Sequence, residues 1–431
     1  MFNRHNMCKN LTRSEYIKFG LLSVTLAFIV GVYWLLRPIK DALFMNIVGP
    51  LYLPYAKVAS IIFLILLILV YSKLVDIFKK QKLIYIITIS YSLLFVLISL
   101  LLTHQTIGLY NTTPNKYRLL GWTIYLGVES FVSLVVALFW SFVASISDTQ
   151  SAKHGYALII AGAQFGTIIG PEFAKHATTI GIPLLFILAA CATLVAPLII
   201  IVLTKIQPQL IENNSQNQKL YTGFLEGLRL LCTKPYILGI FCVATMFGII
   251  ETILEIQMNY MSKTTYISTE KITEFLGFYG QCINIATLII ALIGTRFIIQ
   301  KFGVTFALVA YPIIVGLLVC CVWACPTLFM LFIAMVLIKC LNYALNIPCK
   351  EILYIPTSKD VKFKAKSWID TVGDRLTKGI GGAVSALFPI MTVFIFWGSV
   401  ISLIVVAIWI FAASYVGKKN HQLLENKNII E

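Results

Sequence analysis

The sequence has few charges and no polar stretch long enough to make a soluble domain. Charged residues are only 12% of its 431 positions, 59% are hydrophobic, and the mean hydropathy is +0.89. No water-soluble fold hides that much apolar surface, so a globular enzyme is excluded and a polytopic membrane protein remains. The five histidines show neither metal-ligand spacing nor a Ser/His/Asp grouping, and the ten cysteines mostly sit inside apolar runs as small packing residues. A G-x-x-x-x-G-K-[ST] phosphate loop is also missing. Chemistry on a substrate is therefore not expected, and neither is a cofactor or a resident metal.

Acidic residues are scarcer than basic ones, 18 against 34, giving a net charge of +16. In a soluble protein that excess would point to nucleic acid. Here most basic residues fall in short loops between apolar runs, where they set orientation under the positive-inside rule, so no nucleic-acid partner is expected. They concentrate at the amino terminus, at 73–82, 148–154, 204–235, 296–303 and 349–366, and in the tail, which places both termini in the cytoplasm. Lys9, Arg13 and Lys18 ahead of an apolar run imitate a signal peptide, but no small-x-small cleavage site follows and further spans come at once. The run reads as a retained first helix.

Stretches of about 20 apolar residues, the length that crosses the hydrocarbon core, recur along the whole chain. Twelve are expected, near 17–36, 51–72, 83–102, 120–147, 155–174, 180–203, 236–258, 273–295, 304–324, 326–348, 366–388 and 391–416. The polar segment from Lys205 to Lys234 divides them six and six. The expected organisation is an amino-terminal six-helix bundle (1–204), a cytoplasmic linker (205–235), a second six-helix bundle (236–416) and a cytoplasmic tail (417–431). That is an all-α, major-facilitator-like fold of two pseudo-repeats. Internal likenesses agree: the basic loops Lys73 to Lys80 and Arg296 to Gly303 hold equivalent places, and Ala152-Lys153 and Ala365-Lys366 each precede a glycine, at 166 and 379. Gly162, Gly166 and Gly170 fall on one helix face, a pattern that lets backbones approach closely in lipid.

The informative residues are the charges at membrane depth, since each costs about 2.5–3.5 kcal/mol near the bilayer centre on insertion scales. Pro38-Ile39-Lys40-Asp41-Ala42-Leu43-Phe44 and Pro348-Cys349-Lys350-Glu351-Ile352-Leu353-Tyr354 repeat the order proline, any, lysine, acid, any, leucine, aromatic. Either lysine alone reads as a snorkelling side chain at a helix end; the repetition favours two halves of an anion site. On the eleventh span, counted from Lys366, Asp370 lies about 6 Å in, Arg375 about 14 Å and Lys378 about 18 Å. Asp370, Asp374 and Lys378 share a face at four-residue spacing on an ideal helix. Glu251 and Glu255 also share a face; either a lysine pairs with them or one is protonated. Glu129 is a lone acid in the fourth span, with a lysine partner or a proton as the alternatives. Lys40, Lys350, Arg375 and Lys378 around one cavity would attract a polyanion, and flexible lysines suit phosphate as point charges.

At these residues the sequence resembles the ATP/ADP translocase family of plastids and obligate intracellular bacteria. The likeness is carried by Arg37 to Leu43, Phe139-Trp140 through Asp148 to Tyr156, Phe247-Gly248 through Glu255, and Pro348 to Pro356 continuing through Lys364 to Lys378. It departs from the usual pattern at Pro38, Ala42, Ser151 and Asp374. The resemblance implies nucleotide exchange by alternating access, in the inner membrane of a host-dependent bacterium. It places transport residues at Lys40, Glu129, Glu255 and Lys350. Lys40, Lys350, Arg375, Lys378 and Glu255 are the expected substrate-binding set. Asp41, Glu129, Glu251, Glu351, Asp370 and Asp374 are the expected gating or proton-coupling set. Nucleotide and lipid bilayer are the expected partners of a monomer. The alternatives are proton-coupled uptake of another nucleotide or anionic metabolite, and a transport-inactive scaffold or receptor.

Overall fold

A computed structural model describes residues 12–78, 80–147, 149–206, 231, 233–358, 361 and 365–426. The long elements are all helical. Thr12 and Glu15 start α1 (Arg13–Ile47) with a reciprocal capping box. Pro38 lies inside α1 and does not end it. A kink-prone position is tolerated there because neighbouring helices enclose that part of α1, where Ile39, Ala42, Leu43 and Phe44 are fully buried. Gly49, at φ 121°, turns the chain into α2 (Leu53–Ile77). The first set is completed by α3 (Lys80–Leu102), α4 (Leu119–Ser145), α5 (Thr149–Ala174) and α6 (Ile182–Ile206). The loop before α4 is pinned by the Arg118 guanidinium, which donates to the carbonyls of Ile107 at 2.6 Å and Gly108 and Asn111 at 2.8 Å.

The second set opens with α7 (Pro235–Thr265). Two helices follow within Thr269–Ala324, kinked at Gly303 (φ 82°, ψ 167°); their membrane-length apolar stretches are α8 (Thr269–Ile293) and α9 (Gln300–Ala324). Next comes α10 (Leu328–Leu353), which contains a π turn at Asn342–Asn346. Residues 366–386, here α11, comprise Lys366–Trp368, a second π turn at Ile369–Gly373, and Asp374–Ala386. The chain closes with α12 (Met391–Glu425). Most of the expected 205–235 linker lies outside the described residues.

Among the described residues eleven helices are long and apolar enough to cross a membrane, where twelve were expected. The difference is the expected span at 366–388. It is helical, but Lys366, Asp370, Asp374, Arg375 and Lys378 lower its hydropathy and the π turn interrupts it.

Packing follows the small residues. In the first set α1 lies against α5, α4 and α6; in the second, α7 lies against α12, α11 and α10. The glycine face of α5 meets α1 backbone to backbone: a β-carbon on Gly162, Gly166 or Gly170 would fall 2.1 Å from Ser23 Oγ, 2.1 Å from the Ala27 carbonyl or 2.3 Å from the Gly31 carbonyl. Such proximity is how lipid-embedded helices associate, since the surrounding tails are as apolar as leucine. The two sets meet through α8 against α1 and α5, and α11 against α2. These contacts cluster far from the chain ends: Gly280 on Trp34 and Pro171, Gly277 on Ala174, Gly382 on Pro54 and Val58.

Replacing Gly166 by Val is expected to destabilise the protein by about 1–3 kcal/mol through overpacking, and Gly20→Ala, at a helical position where the added carbon meets nothing within 4 Å, to stabilise it by up to about 1 kcal/mol. Thermal unfolding of the detergent-solubilised variants checks both.

Candidate functional site

Buried charges collect at the junction of the two sets. Glu255, on α7, accepts from Arg37 of α1 at 2.8 Å, from Lys57 of α2 at 2.5 Å and from Lys339 of α10 at 3.2 Å. Lys339, 1% exposed, also holds Glu251 at 2.9 Å. The spacing that puts Glu251 and Glu255 on one face of α7 thus brings both carboxylates onto one lysine. The Arg37 guanidinium further lies 5.2 Å over the Trp34 ring. Removing either sign from such a cluster leaves the other buried and uncompensated.

Lys40 belongs to a separate cluster within the first set. It is 2% exposed, donates to Asp41 at 2.8 Å and pairs with Glu129 of α4 at 2.9 Å, and its ammonium sits 4.2 Å over Tyr125. The unbroken α1 explains the burial, because the helix carries Lys40 past Pro38 into the packed region rather than to an open mouth. Together the two clusters balance: Arg37, Lys40, Lys57 and Lys339 against Asp41, Glu129, Glu251 and Glu255.

On α11 the positive side chains face the junction. Arg375 is half-buried and donates to Ser133 of α4 at 2.9 Å, one turn beyond Glu129, so a guanidinium here meets a neutral hydroxyl of the other set. Lys378 lies with its stem 3.7 Å from the position a β-carbon on Gly248 of α7 would take. Asp374 is part of the helix, and its side chain lies outside the described residues.

Lys350 and its neighbours lie elsewhere, towards the end of the bundle that carries the chain termini. Lys350 pairs with Asp370 at 2.8 Å, and Lys366 pairs with Glu351 and lies 5.4 Å over Tyr354. Lys40 and Lys350 are therefore not brought together. Two residues of the junction carried a signal that motif matching passed over: Lys57 and Lys339 are single charges inside apolar runs, as Glu129 is.

The opposite end is held shut by polar links between the sets. Asn46 of α1 bonds to both Lys263 and Thr269, and Thr178 to Glu274. Lys175 donates to Gln281 at 2.8 Å, and Gln281 in turn to Glu172. Asn284 donates to the Thr167 carbonyl at 2.7 Å. Every bond joining the two sets that is placed here lies at this end or at the Glu255 and Arg375 levels. Among the described residues no group of His, Cys, Asp and Glu is arranged to hold a metal ion.

A family profile described as the TLC ATP/ADP transporter matches residues 6–333 and 324–420. The chain belongs to that family. Similar relatives include ADP,ATP carrier protein 1 of Rickettsia prowazekii, 25% identical and covering 96% of this chain and 95% of the relative. The chloroplastic ADP,ATP carrier protein 1 of Arabidopsis thaliana is 24% identical, over 93% of this chain and 73% of its own length. Among solved structures, the nucleoside transporter NupG superposes with a TM-score of 0.62 at 12% identity, covering 93% of this chain and 99% of the other. A bacterial homologue of ferroportin in an inward-facing state gives 0.65 at 14%, covering 95% and 100%. The family member is thus a multi-pass membrane transporter with a major-facilitator-like fold, and not an enzyme.

Lys339→Ala is expected to destabilise the protein by roughly 3–5 kcal/mol, because two buried carboxylates lose their common partner. Adding Glu251→Gln to that variant should recover part of the loss. Unfolding curves of the single and double variants check the coupling.

Proposed function

We propose that this transporter exchanges nucleotides of the ATP/ADP type across a bacterial inner membrane by alternating access. The observation that carries the reading is the Glu255 carboxylate, shared by cations of both helix sets at the junction. An anion that competes for Arg37, Lys57 or Lys339 loosens that shared grip, and a ligand with different affinity for two arrangements shifts their balance. Family membership and the names of the Rickettsia and Arabidopsis relatives support nucleotide as the anion.

With both termini cytoplasmic, as the basic loops indicate, the closed end faces outward and the end bearing Lys350 faces the cytoplasm. In this reading two six-helix halves, joined through 205–235, rock about the charged junction, as alternating-access carriers do. Substrate phosphates first meet Lys350 at the mouth, then Arg375 and Lys378 on the wall of α11. They reach the Glu255 cluster by competing with its carboxylates. Lys40, clamped by Asp41 and Glu129, holds α1 against α4 and keeps Arg37 aimed at α7. The working unit is a monomer in the bilayer, and nucleic acid plays no part.

Purified protein in proteoliposomes is expected to take up labelled ATP, with strong stimulation by internal ADP. Uptake that ignores internal nucleotide and collapses with an uncoupler would instead assign proton coupling. If no member of a nucleotide panel is transported or stabilises the protein, the carrier reading fails. Arg375→Ala is expected to raise the half-saturation concentration about tenfold, the loss of a charge-assisted contact of about 1.4 kcal/mol, with membrane insertion unchanged.

A further inference from the structure

The last turn of α10 carries Lys350, and its carbonyls are satisfied one by one. The Tyr354 N–H donates to the Glu351 carbonyl at 3.3 Å, and the Ile355 N–H to the Ile352 carbonyl at 3.0 Å. The next donor in that series would be Pro356, which has no N–H to give. The Leu353 carbonyl is thereby left over, in a residue so fully buried that water cannot serve it. The Tyr236 hydroxyl supplies the missing donor, at 2.8 Å and from 117 positions away in the sequence. One step on, the Thr357 hydroxyl donates to the Tyr354 carbonyl at 2.7 Å.

Tyr236 is itself held from a third helix. It stands in the first turn of α7, is 3% exposed, and its hydroxyl also reaches the side-chain amide of Asn420 on α12, at 3.0 Å. Asn420 lies where α12 runs on beyond its apolar stretch, and this extension is docked against the bundle. Asn420 and Leu423 are buried there, and a β-carbon on Gly417 would fall 2.6 Å from the Thr305 side chain of α9. One phenol therefore joins the start of α7, the end of α10 and the extension of α12.

We propose that Tyr236 is a positioning residue for Lys350. The lysine lies one turn before Leu353, on the turn that this hydroxyl closes. A last turn with a buried, unmet carbonyl frays. A closed one presents the ammonium at a fixed height beside Asp370, its partner at 2.8 Å. Fixing the lysine in advance lowers the ordering cost of each encounter with a phosphate. All three anchored helices belong to the second set, so the anchor holds through the proposed rocking of the halves. The proposal rests on the reading of Lys350 as the first contact for substrate phosphates.

Hydrogen–deuterium exchange of the full-length protein in nanodiscs tests the anchor without any substrate. In Tyr236→Phe, which removes only the hydroxyl, the amides of residues 350–355 are expected to exchange about tenfold faster, with those of the α1–α5 seam unchanged. Unchanged exchange at 350–355 overturns the anchor, whatever the substrate proves to be. In transport assays Tyr236→Phe is expected to raise the half-saturation concentration for ATP about fivefold, with the maximal rate within about twofold. The same substitution in a Lys350→Ala background should move half-saturation by less than about twofold, because the group it positions is gone. An undiminished step in that background makes Tyr236 a packing residue and overturns the positioning role. If Lys350→Ala alone leaves half-saturation unchanged, the phosphate role of Lys350 is what fails, and the positioning role falls with it.

Discussion

The rest of the structure depends on one carboxylate with too many partners. Glu255 is drawn at once by Arg37 and Lys57 from one helix set and by Lys339 from the other. In a medium where each unpaired charge costs several kcal/mol, none of these groups can be released without another taking its place. The ion pairs therefore act less as a source of stability than as a constraint on which arrangements are allowed. In the proposed exchange, a second anion entering the junction relaxes that constraint.

Two levels of polar contact surround this centre. Above it, Asn46, Lys175, Thr178, Glu274 and Gln281 tie the sets together with bonds that water can replace when the end opens. Below it, Lys350 with Asp370 and Lys366 with Glu351 stay within the second set. Among the described residues, the bonds named between the sets thus lie at one end and at the charged level. The π turns of α10 and α11 lie beside these lower pairs, where an extra residue per turn weakens the helices locally.

Much of this was legible in the sequence and part of it was not. Apolar run length located the helices, because nothing else survives in hydrocarbon. Their ends were underestimated: α1 continues through Pro38 to Ile47, and α12 continues past its apolar run to Glu425. Lys40, Glu129, Glu251 and Glu255 stood out as charges in apolar surroundings. Their partners did not, since Arg37 and Glu255 are 218 positions apart and no local pattern records such a meeting. Lys57 and Lys339 were as conspicuous by the same physical test, but the repeated lysine motif drew attention to Lys350 instead. The π turn in α11 has no signature in residue preference, and neither has the pairing of its Asp370 with Lys350.

The glycine seam between α1 and α5 also bears on the proposed rocking of the halves. With Gly162, Gly166 and Gly170 seated against the backbone at Ser23, Ala27 and Gly31, the two helices cannot slide or separate without opening voids along their whole contact. They behave as a single beam. One side of that beam carries Arg37 and Lys40, and the other carries the α5 surface that bears on α8. In the proposed rocking of the two halves, a tilt of that beam moves the charged junction and the far contacts together.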